Sequence, residues 1–381
     1  MKIIIAPDSF KESMTAMQAA EAIETGMRLI LPDAEYIKVP MADGGEGTVQ
    51  SLVDATNGKL IHLEVTGPLG EPVQAFFGMM GDGKTAIIEM AAASGLHHVA
   101  REQRNPLITT TYGTGELILA ALDQGAEKII MGLGGSATND GGAGMAQALG
   151  AKLLKESGEE ISYGGGELNL VDKIDLKQLD SRIRHVEFIA ACDVDNPLTG
   201  ERGASAIFGP QKGATPEMVE LLDHNLAHYA VKLTEATGKE VVAQAGAGAA
   251  GGMGAAVLAY LNAELKRGVD IVIEAANLAK HMEGADLVIT GEGKIDRQTV
   301  FGKTPMGVSM TAKVQGIPVI ALAGMVAPGS EAVHEIGINA LFSIVPGVTT
   351  LEEALKDGEA NMIRAARNVA MCVKLGMGMK S

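Results

Sequence analysis

Short apolar runs alternate with amphipathic segments over the first 55 residues. Residues 3–6 are continuously apolar, which is typical of a buried parallel strand, and residues 15–29 have the periodicity of a helix. Residues 35–39 predict a second strand, and after a polar, glycine-rich stretch another helix extends through Ala55. A strand followed by a polar loop and a helix occurs twice, so the pattern predicts a parallel sheet.

The pattern changes after this opening. Residues 59–65, 73–77 and 85–90 form short runs separated by Gly-Pro and Gly-Asp-Gly turns, which predict an antiparallel meander. Further elements of mixed character follow: helices near 115–123, 145–149 and 216–236, strands at 128–131 and 186–191, and a helix through 261 that opens at the glycine cluster 246–254.

Strand and helix alternate again from about residue 269. Residues 286–290, 318–323 and 340–345 predict strands, and residues 291–296 predict a loop after the first of them. The simplest fold class is therefore α/β: a doubly wound, mainly parallel-sheet domain built from both chain ends, with an inserted mixed α/β domain. The expected boundaries are 1–60 plus 268–381 for the first domain and 61–267 for the second.

Residues 132–144, Gly-Leu-Gly-Gly-Ser-Ala-Thr-Asn-Asp-Gly-Gly-Ala-Gly, lie between a predicted strand and a predicted helix. This arrangement directs backbone N–H groups and a positive helix end toward an anion. One interpretation is a phosphate-binding loop, in which Gly134, Gly135, Ser136 and Ala137 contact the anion. The alternative is a tight turn of any α/β protein, in which Asn139 or Asp140 caps the helix.

The formal net charge of −16 limits the partners. It argues against non-specific nucleic-acid binding and against an anionic membrane surface, and an anionic substrate would need a site that is locally positive or rich in N–H donors. The two cysteines, Cys192 and Cys372, have no metal-ligand spacing and indicate a reducing compartment. The N-terminal apolar run ends at a proline and an acid, so it predicts a strand rather than a signal peptide, and we expect a soluble, cytoplasmic protein.

Acidic side chains follow several predicted strands. Asp8 stands with Ser9 and Lys11, Asp43 precedes two glycines, and Glu292 stands with Lys294 and Asp296. Ligands of open parallel sheets bind outside the carboxyl ends of the strands, so these acids are candidates for chemistry. A single acid in such a loop is more often a helix cap, and only their repetition favours function.

A second set of candidates belongs to the inserted domain. Asp193 directly follows an apolar strand, where partial burial would adjust its pKa for general-base chemistry. Asp195 and Asn196 are suitable oxygen ligands for magnesium, and the alternative is a turn before Pro197. Lys212 lies in a rigid Gly-Pro turn, where it either neutralises a phosphate or carboxylate or is a solvated turn residue.

One segment matches the literal P-loop pattern. Residues 78–85, Gly-Met-Met-Gly-Asp-Gly-Lys-Thr, have the required spacing, but that motif works only between a strand and a helix. Here Gly81, Asp82 and Gly83 look like a turn and the next residues like a returning strand. We therefore predict a hairpin.

Five motifs are distributed along the chain: APDSFKES (6–13), ADGGEGT (42–48), GGSATNDGG (134–142), FGPQKGA (208–214) and TGEGKID (290–296). Together they closely resemble the motifs of bacterial class I glycerate kinases, and the resemblance covers essentially the whole chain. The resemblance implies ATP-dependent phosphorylation of D-glycerate with Mg²⁺, generally to 2-phosphoglycerate. It also implies two domains with the active site in the cleft between them, and oligomerisation is possible.

The roles of individual residues are our own inference, because phosphoryl transfer depends mainly on positioning and charge neutralisation. The assignments are as follows: Gly134, Gly135, Ser136, Ala137 and Lys212 for the nucleotide phosphates; Asp193 as general base, with Asp43 second; Asp8, Ser9, Lys11, Glu292 and Asp296 for the substrate; and Asp195, Asp8 or Asp140 for Mg²⁺. Lys11 or Lys212 would pair with the glycerate carboxylate or the transferred phosphoryl group.

Other functions remain as alternatives. One alternative is a kinase of this kind that forms 3-phosphoglycerate or acts on another small hydroxy acid. A Rossmann dehydrogenase would need Gly-x-Gly-x-x-Gly after the first strand, where this chain has Pro7, Asp8, Ser9, Phe10 and Lys11. A non-catalytic anion-binding protein would be expected to avoid acids at so many strand ends.

Overall fold

A computed structural model describes residues 1–378, so the last three residues of the predicted segment 268–381 lie outside the described residues. The strands are β1 Lys2–Pro7, β2 Glu35–Lys38, β3 Lys59–Thr66, β4 Pro72–Met79, β5 Thr85–Glu89, β6 Lys128–Gly132, β7 Lys152–Leu154, β8 Lys173–Asp175, β9 Glu187–Ala191, β10 Glu264–Lys266, β11 Leu287–Ile295, β12 Val319–Val326 and β13 Ile338–Ser343.

The helices lie between and after these strands. They are α1 Ala16–Arg28, α2 Thr48–Thr56, α3 Ala91–Ser94, α4 Tyr112–Asp123, α5 Ala143–Ala148, α6 Ala204–Phe208, α7 Pro216–Thr237, α8 Ala249–Tyr260, α9 Gly268–Ala275, α10 Leu278–Met282, α11 Thr304–Val314, α12 Leu351–Lys356 and α13 Gly358–Gly378. None of the helices within residues 1–378 is long and apolar enough to cross a membrane.

The chain divides into two compact units. Unit 1 consists of Met1–Asp43, Gln50–Asn57 and Val269–Ser381, of which 269–378 are described. Unit 2 consists of Gly44–Val49 and Gly58–Gly268. Each unit has its own sheet and its own apolar core.

Unit 1 is built on five parallel strands in the order β13-β12-β11-β1-β2. The apolar residues of β1 and β11 are buried with those of α1 and α13 in one core. These two helices pack closely, because a Cβ atom on Gly26 would lie 2.3 Å from the Ile363 carbonyl oxygen. A parallel sheet with helices packed on it confirms the predicted α/β class.

One strand of unit 1 is longer than predicted. Residues 291–296 were expected to form a loop, but β11 continues to Ile295 and pairs in parallel with β12, with Glu292 opposite Ala323. The glycines of this segment look like turn residues in the sequence. Gly291 instead allows close strand approach, since its Cβ would lie 2.1 Å from the Leu322 carbonyl oxygen. Glu292 is therefore a strand residue.

Unit 2 contains a mixed six-stranded sheet in the order β10-β9-β6-β5-β4-β3 and a separate antiparallel pair, β7 and β8. The strands β5, β6, β9 and β10 run parallel, whereas β3, β4 and β5 form the predicted antiparallel meander. The segment with P-loop spacing lies across the β4–β5 hairpin, so the prediction that it is not a phosphate-binding loop between strand and helix is confirmed.

Candidate active site

Residues 132–144, called the glycine loop below, connect β6 to α5 in unit 2. Gly134 and Gly135 form an exposed turn, and Gly135 has a left-handed backbone with φ of +76°. Within residues 1–378, their N–H groups have no hydrogen-bond acceptor. The Gly135 carbonyl oxygen accepts from the Leu96 N–H at 2.9 Å, which fastens the turn to the segment after α3. Two exposed backbone donors thus stand at the carboxyl end of a buried parallel strand.

The next part of the glycine loop is tied to the interior. The Ala137 N–H donates to the Ser94 carbonyl oxygen at 2.9 Å, so this donor is used within the protein. The Ala137 carbonyl oxygen accepts from Thr109 Oγ1 at 3.0 Å. Among the four residues predicted for phosphate, only Gly134 and Gly135 therefore present exposed N–H groups in this structure.

Asp140 is fully buried and accepts hydrogen bonds from four donors. The Thr111 N–H and Oγ1 donate to Oδ2 at 2.9 and 2.8 Å, the Gly144 N–H also donates to Oδ2 at 3.2 Å, and the Gly142 N–H donates to Oδ1 at 3.1 Å. Burial raises its pKa, and these hydrogen bonds oppose the rise. The carboxylate thus joins the start of α5 to the start of α4.

Lys212 is 1% exposed at the end of the short helix Pro210–Lys212. Its Nζ donates to Ser136 Oγ at 2.8 Å and to the Thr138 carbonyl oxygen at 2.6 Å. Burial lowers the pKa of Lys212 to about 7, and the nearby Asp140 opposes this shift. The side chain therefore contacts the inner side of the glycine loop and not solvent.

Asp193 follows β9, the strand next to β6 in the sheet. Its Oδ1 accepts from the Gly268 N–H at 3.0 Å. The expected partial burial is wrong, because the side chain is exposed. Asp195 is also exposed and pairs with Arg202 at 2.7 Å on the surface of unit 2. The strand ends before these acids, so the core that covers Ala191 does not extend over them.

Glu89 was missed by the sequence analysis although it ends β5, next to β6. Its carboxylate accepts from the N–H groups of Gly47, Thr48 and Val49, the last at 2.9 Å, and so caps α2. Burial raises its pKa, with repulsion from Glu46 adding to the rise. The sequence did contain a signal for Glu89, since it is an acidic residue at the end of an otherwise apolar strand.

In unit 1, Asp8, Asp43 and Glu292 form what we call the acid cluster. Asp8 directly follows β1, and its carboxylate accepts from Thr304 Oγ1 at 2.5 Å and from the Ser9 N–H at 2.6 Å. Burial raises the pKa of Asp8 to about 6, and the charge of Asp43 adds to the rise.

Glu292 lies on β11, adjacent to β1, and is 8% exposed. Thr299 Oγ1 donates to its Oε1 at 2.8 Å, and Lys303 Nζ lies 3.5 Å from Oε2. Burial raises the pKa of Glu292 to about 7, and repulsion from Asp8 contributes. Burial thus raises the pKa of two carboxyl groups on neighbouring elements of the sheet, one directly after β1 and one on β11.

The comparisons with known proteins agree with one another. The model of the glycerate kinase family matches residues 3–374. A glycerate kinase of Bacillus subtilis (strain 168) is 62% identical over 379 residues, covering 100% of this chain and 99% of the relative. A glycerate 2-kinase of Escherichia coli (strain K12) is 55% identical, covering 99% of each chain.

The chain belongs to the glycerate kinase family. A crystal structure described as glycerate kinase 2 from Salmonella typhimurium LT2 has 54% sequence identity and a TM-score of 0.93, covering 99% of each chain. As a member of the glycerate kinase family, the chain is a kinase that phosphorylates glycerate. The predicted α/β fold and the predicted enzyme class are both confirmed.

Not every residue predicted for this kinase joins one of these sites. Asp296 caps the short helix Arg297–Phe301 through the Gln298 N–H and pairs with Lys294 at 2.9 Å. Lys11 is exposed and Ser9 is half-buried, both just after β1. Within residues 1–378, no cluster of three or more His, Cys, Asp or Glu side chains has the geometry of a metal site. Mg²⁺ in kinases is commonly held by one or two carboxylates and the nucleotide phosphates.

Proposed function

We propose that this chain transfers the terminal phosphoryl group of ATP to D-glycerate and forms 2-phospho-D-glycerate, with Mg²⁺ as cofactor. The name glycerate 2-kinase of the Escherichia coli relative supports this hydroxyl as the acceptor. The observation that carries the proposal is the glycine loop, where two exposed N–H donors follow a parallel strand within a glycerate kinase family chain.

The glycine loop is the proposed site for the ATP phosphates. Gly134 and Gly135 supply N–H groups at the carboxyl edge of the unit 2 sheet, where α/β proteins bind such ligands. Ser136 and Ala137 shape the turn through internal contacts. Thr138 Oγ1 is buried without a hydrogen-bond partner among the described residues, so an unused donor lies in the same loop. This set of neutral donors fits an anion.

We propose Asp193 as the general base that takes the proton from the attacking hydroxyl, with Asp43 as the second candidate. Asp193 is exposed, and the Gly268 N–H orients one of its oxygens. It follows β9, whose neighbour β6 leads into the glycine loop. A base in this position requires access to substrate and a fixed carboxylate direction, and both are supported here.

For Mg²⁺ we favour Asp8 over the other predicted ligands. The four donors of Asp140 already surround its two oxygens, and Asp195 pairs with Arg202. When bound, Mg²⁺ would neutralise charge on the transferred phosphoryl group. Burial beside Asp43 disfavours the charge of Asp8, so a bound cation would lower the pKa of this carboxyl group.

The remaining residues are proposed for D-glycerate. Lys11 is an exposed cation beside Ser9, and it suits the carboxylate of the substrate. Glu292 changes protonation near neutral pH, so its carboxyl group can either accept or donate a hydrogen bond to a substrate hydroxyl. Asp296 orients this region through its helix cap and its pair with Lys294.

The test is an ADP-release assay with ATP and D-glycerate, in the presence and absence of Mg²⁺, followed by NMR of the product. We expect Mg²⁺-dependent ADP formation and a phosphorus coupled to the C2 proton. Coupling to the C3 protons would assign the alternative, 3-phosphoglycerate-forming reaction. No ADP with D-glycerate would exclude the proposed reaction.

A further inference from the structure

Lys212 is a lysine with only 1% of its surface exposed, and its Nζ donates to Ser136 Oγ and to the Thr138 carbonyl oxygen, close to the charge of Asp140. Lysine is rarely buried without a specific role, since removing its charge from water is costly. Both of its hydrogen-bond acceptors belong to the glycine loop, on either side of Ala137.

The hydrogen bond to the Thr138 carbonyl oxygen sets the direction of a peptide group. The chain has no cis peptide bond, and in a trans peptide the C=O and the following N–H point in opposite directions. Because Lys212 holds the Thr138 carbonyl at 2.6 Å, the Asn139 N–H points away from Lys212. Thr109 Oγ1 likewise donates to the Ala137 carbonyl oxygen, so the Thr138 N–H of that peptide group points away from Thr109.

These N–H groups are unused inside the protein. Neither the Thr138 nor the Asn139 N–H has an acceptor within residues 1–378, and Thr138 Oγ1 also lacks a partner there. Consecutive backbone donors with a neighbouring hydroxyl are typical of anion-binding loops. Thr138 and Asn139 are fully buried, whereas Gly134 and Gly135 are exposed, so the lysine holds the interior part of the loop and leaves the exposed donors of Gly134 and Gly135 for a ligand.

The base of the Lys212 side chain is also fixed. Gly213 has a φ of +93°, and a Cβ at that position would lie 2.3 Å from the Arg104 carbonyl oxygen. Arg104 in turn donates to the Gln211 carbonyl oxygen at 3.1 Å. A rigid turn thus holds the lysine against the glycine loop from 76 residues away in sequence.

We propose that Lys212 is a positioning residue that holds the glycine loop in its anion-binding conformation, and that it acts on ATP through the loop rather than by contact with phosphate. This inference rests on the proposed role of the loop in binding the ATP phosphates. It differs from the hypothesis drawn from the sequence, in which Lys212 pairs directly with phosphate, because Nζ already donates to two loop oxygens and is buried away from solvent.

The test is Lys212→Met, which keeps most of the side-chain volume and removes the donors. Hydrogen exchange of peptides from residues 132–144 is measured in the nucleotide-free enzyme, together with KM for ATP and for D-glycerate. We expect loop exchange to become about tenfold faster or more. We also expect KM for ATP to rise about tenfold, from the loss of oriented donors, while KM for D-glycerate stays within about twofold.

The matched control is Lys239→Met, the same substitution at a half-buried lysine of unit 2. Lys239 Nζ donates to the Leu258 carbonyl oxygen and to Asn262 Oδ1, both at 2.9 Å, and neither acceptor belongs to the glycine loop. This control should lower the melting temperature without changing loop exchange or either KM. Loop exchange unchanged in Lys212→Met would overturn the inference, since a direct phosphate ligand would leave the nucleotide-free loop as it is.

Ser136→Ala provides a milder variant should Lys212→Met fail to fold. It removes one of the two loop acceptors and keeps the lysine, so we expect a smaller increase in loop exchange, and no increase would count against the inference. Faster loop exchange with an unchanged KM for ATP would support the positioning role and instead exclude the loop as the ATP site. The two hypotheses therefore fail in different ways.

Discussion

Asp8 of the acid cluster in unit 1 and the glycine loop of unit 2 both follow parallel strands, β1 and β6, whereas Glu292 of the cluster lies within the neighbouring strand β11. The two regions hold charged groups in different ways. In the glycine loop, Asp140 and Lys212 are buried and hydrogen-bonded within the protein, and backbone N–H groups are left for a ligand. In the acid cluster, burial raises the pKa of Asp8 to about 6, with repulsion from Asp43 adding to the rise, and burial raises the pKa of Glu292 to about 7, with repulsion from Asp8 adding to it.

The difference shows two ways to build a site from the same topology. The loop offers neutral donors whose direction is set by internal charges, which suits an anion that must be held without a permanent counter-charge. The acid cluster keeps charged groups close together, at a cost in stability, which suits proton exchange or cation binding. We expect substitutions in the two regions to have different signatures.

Asp193→Asn should have the largest effect. Asp193 does not fit the contrast between neutral donors in unit 2 and carboxylates in unit 1, because it is an exposed acid next to the sheet that carries the glycine loop. If it is the general base, kcat falls by roughly two or more decades, as measured in steady-state assays. Asp123→Asn is the control, an equal change at an exposed carboxylate that pairs with Arg182 at 2.7 Å. A mutant within about twofold of the parent kcat would shift the assignment to Asp43.

Glu292→Gln should reveal the stability cost of the acid cluster. Burial raises the Glu292 pKa from 4.5 to about 7, so the folded protein retains a proton that the unfolded chain has released. Stability contributed by this group is therefore highest below about pH 4.5 and falls as pH rises to about 7. Relative to the parent, the variant should gain about 2 kcal/mol in free energy of unfolding between pH 5 and pH 8.

Denaturant unfolding at the two pH values measures this gain. Glu335→Gln, at an exposed glutamate of unit 1, serves as the control and should show no such dependence. An unfolding free-energy difference for Glu292→Gln that does not change with pH would show that its carboxyl group titrates normally.

Gly135→Ala tests the glycine loop through its backbone. A side chain at φ of +76° is strained by about 1–2 kcal/mol, so the exposed turn should shift and raise KM for ATP about tenfold. Gly158→Ala provides the same strain at φ of +83° with open space around it, in an exposed turn of unit 2. If both variants raise KM for ATP equally, the effect is not specific to the loop.

Lys84→Met should have the smallest effect. Lys84 occupies the lysine position of the P-loop-like segment, but it lies in the β4–β5 hairpin and pairs with Glu127 at 2.9 Å on the surface. Because exposed ion pairs contribute little, kcat and KM for ATP should stay within about twofold of the parent. A large increase in KM for ATP would mean that this hairpin, and not the glycine loop, binds the nucleotide.

Local pattern was sufficient for much of the fold. The apolar runs and turn residues predicted the parallel strands, the antiparallel meander and the hairpin that contains the P-loop-like segment. Asp8 and Glu292 were both predicted at strand ends, and they share one environment because β1 and β11 are neighbours. Parallel topology alone makes such a meeting expected.

Other features depend on contacts that no local pattern contains. Lys212 is buried because Ser136 and Thr138, more than 70 residues earlier, bind its Nζ. The glycines of residues 291–293 have the composition of a turn, and only the approach of Leu322 shows why they lie in a strand. Glu89 was missed for the same reason, since its partners at residues 47–49 are 40 residues away.

The central position of β1 in the unit 1 sheet determines when this sheet can form during translation. β1 lies between β2 and β11 in the unit 1 sheet, and Ile3 pairs with Leu287. All strands of unit 2 lie between residues 59 and 266, so they leave the ribosome before β11 does. During translation one edge of β1 therefore stays unpaired until β11 has been synthesised. The acid cluster cannot form before the ribosome has extended the chain beyond Glu292.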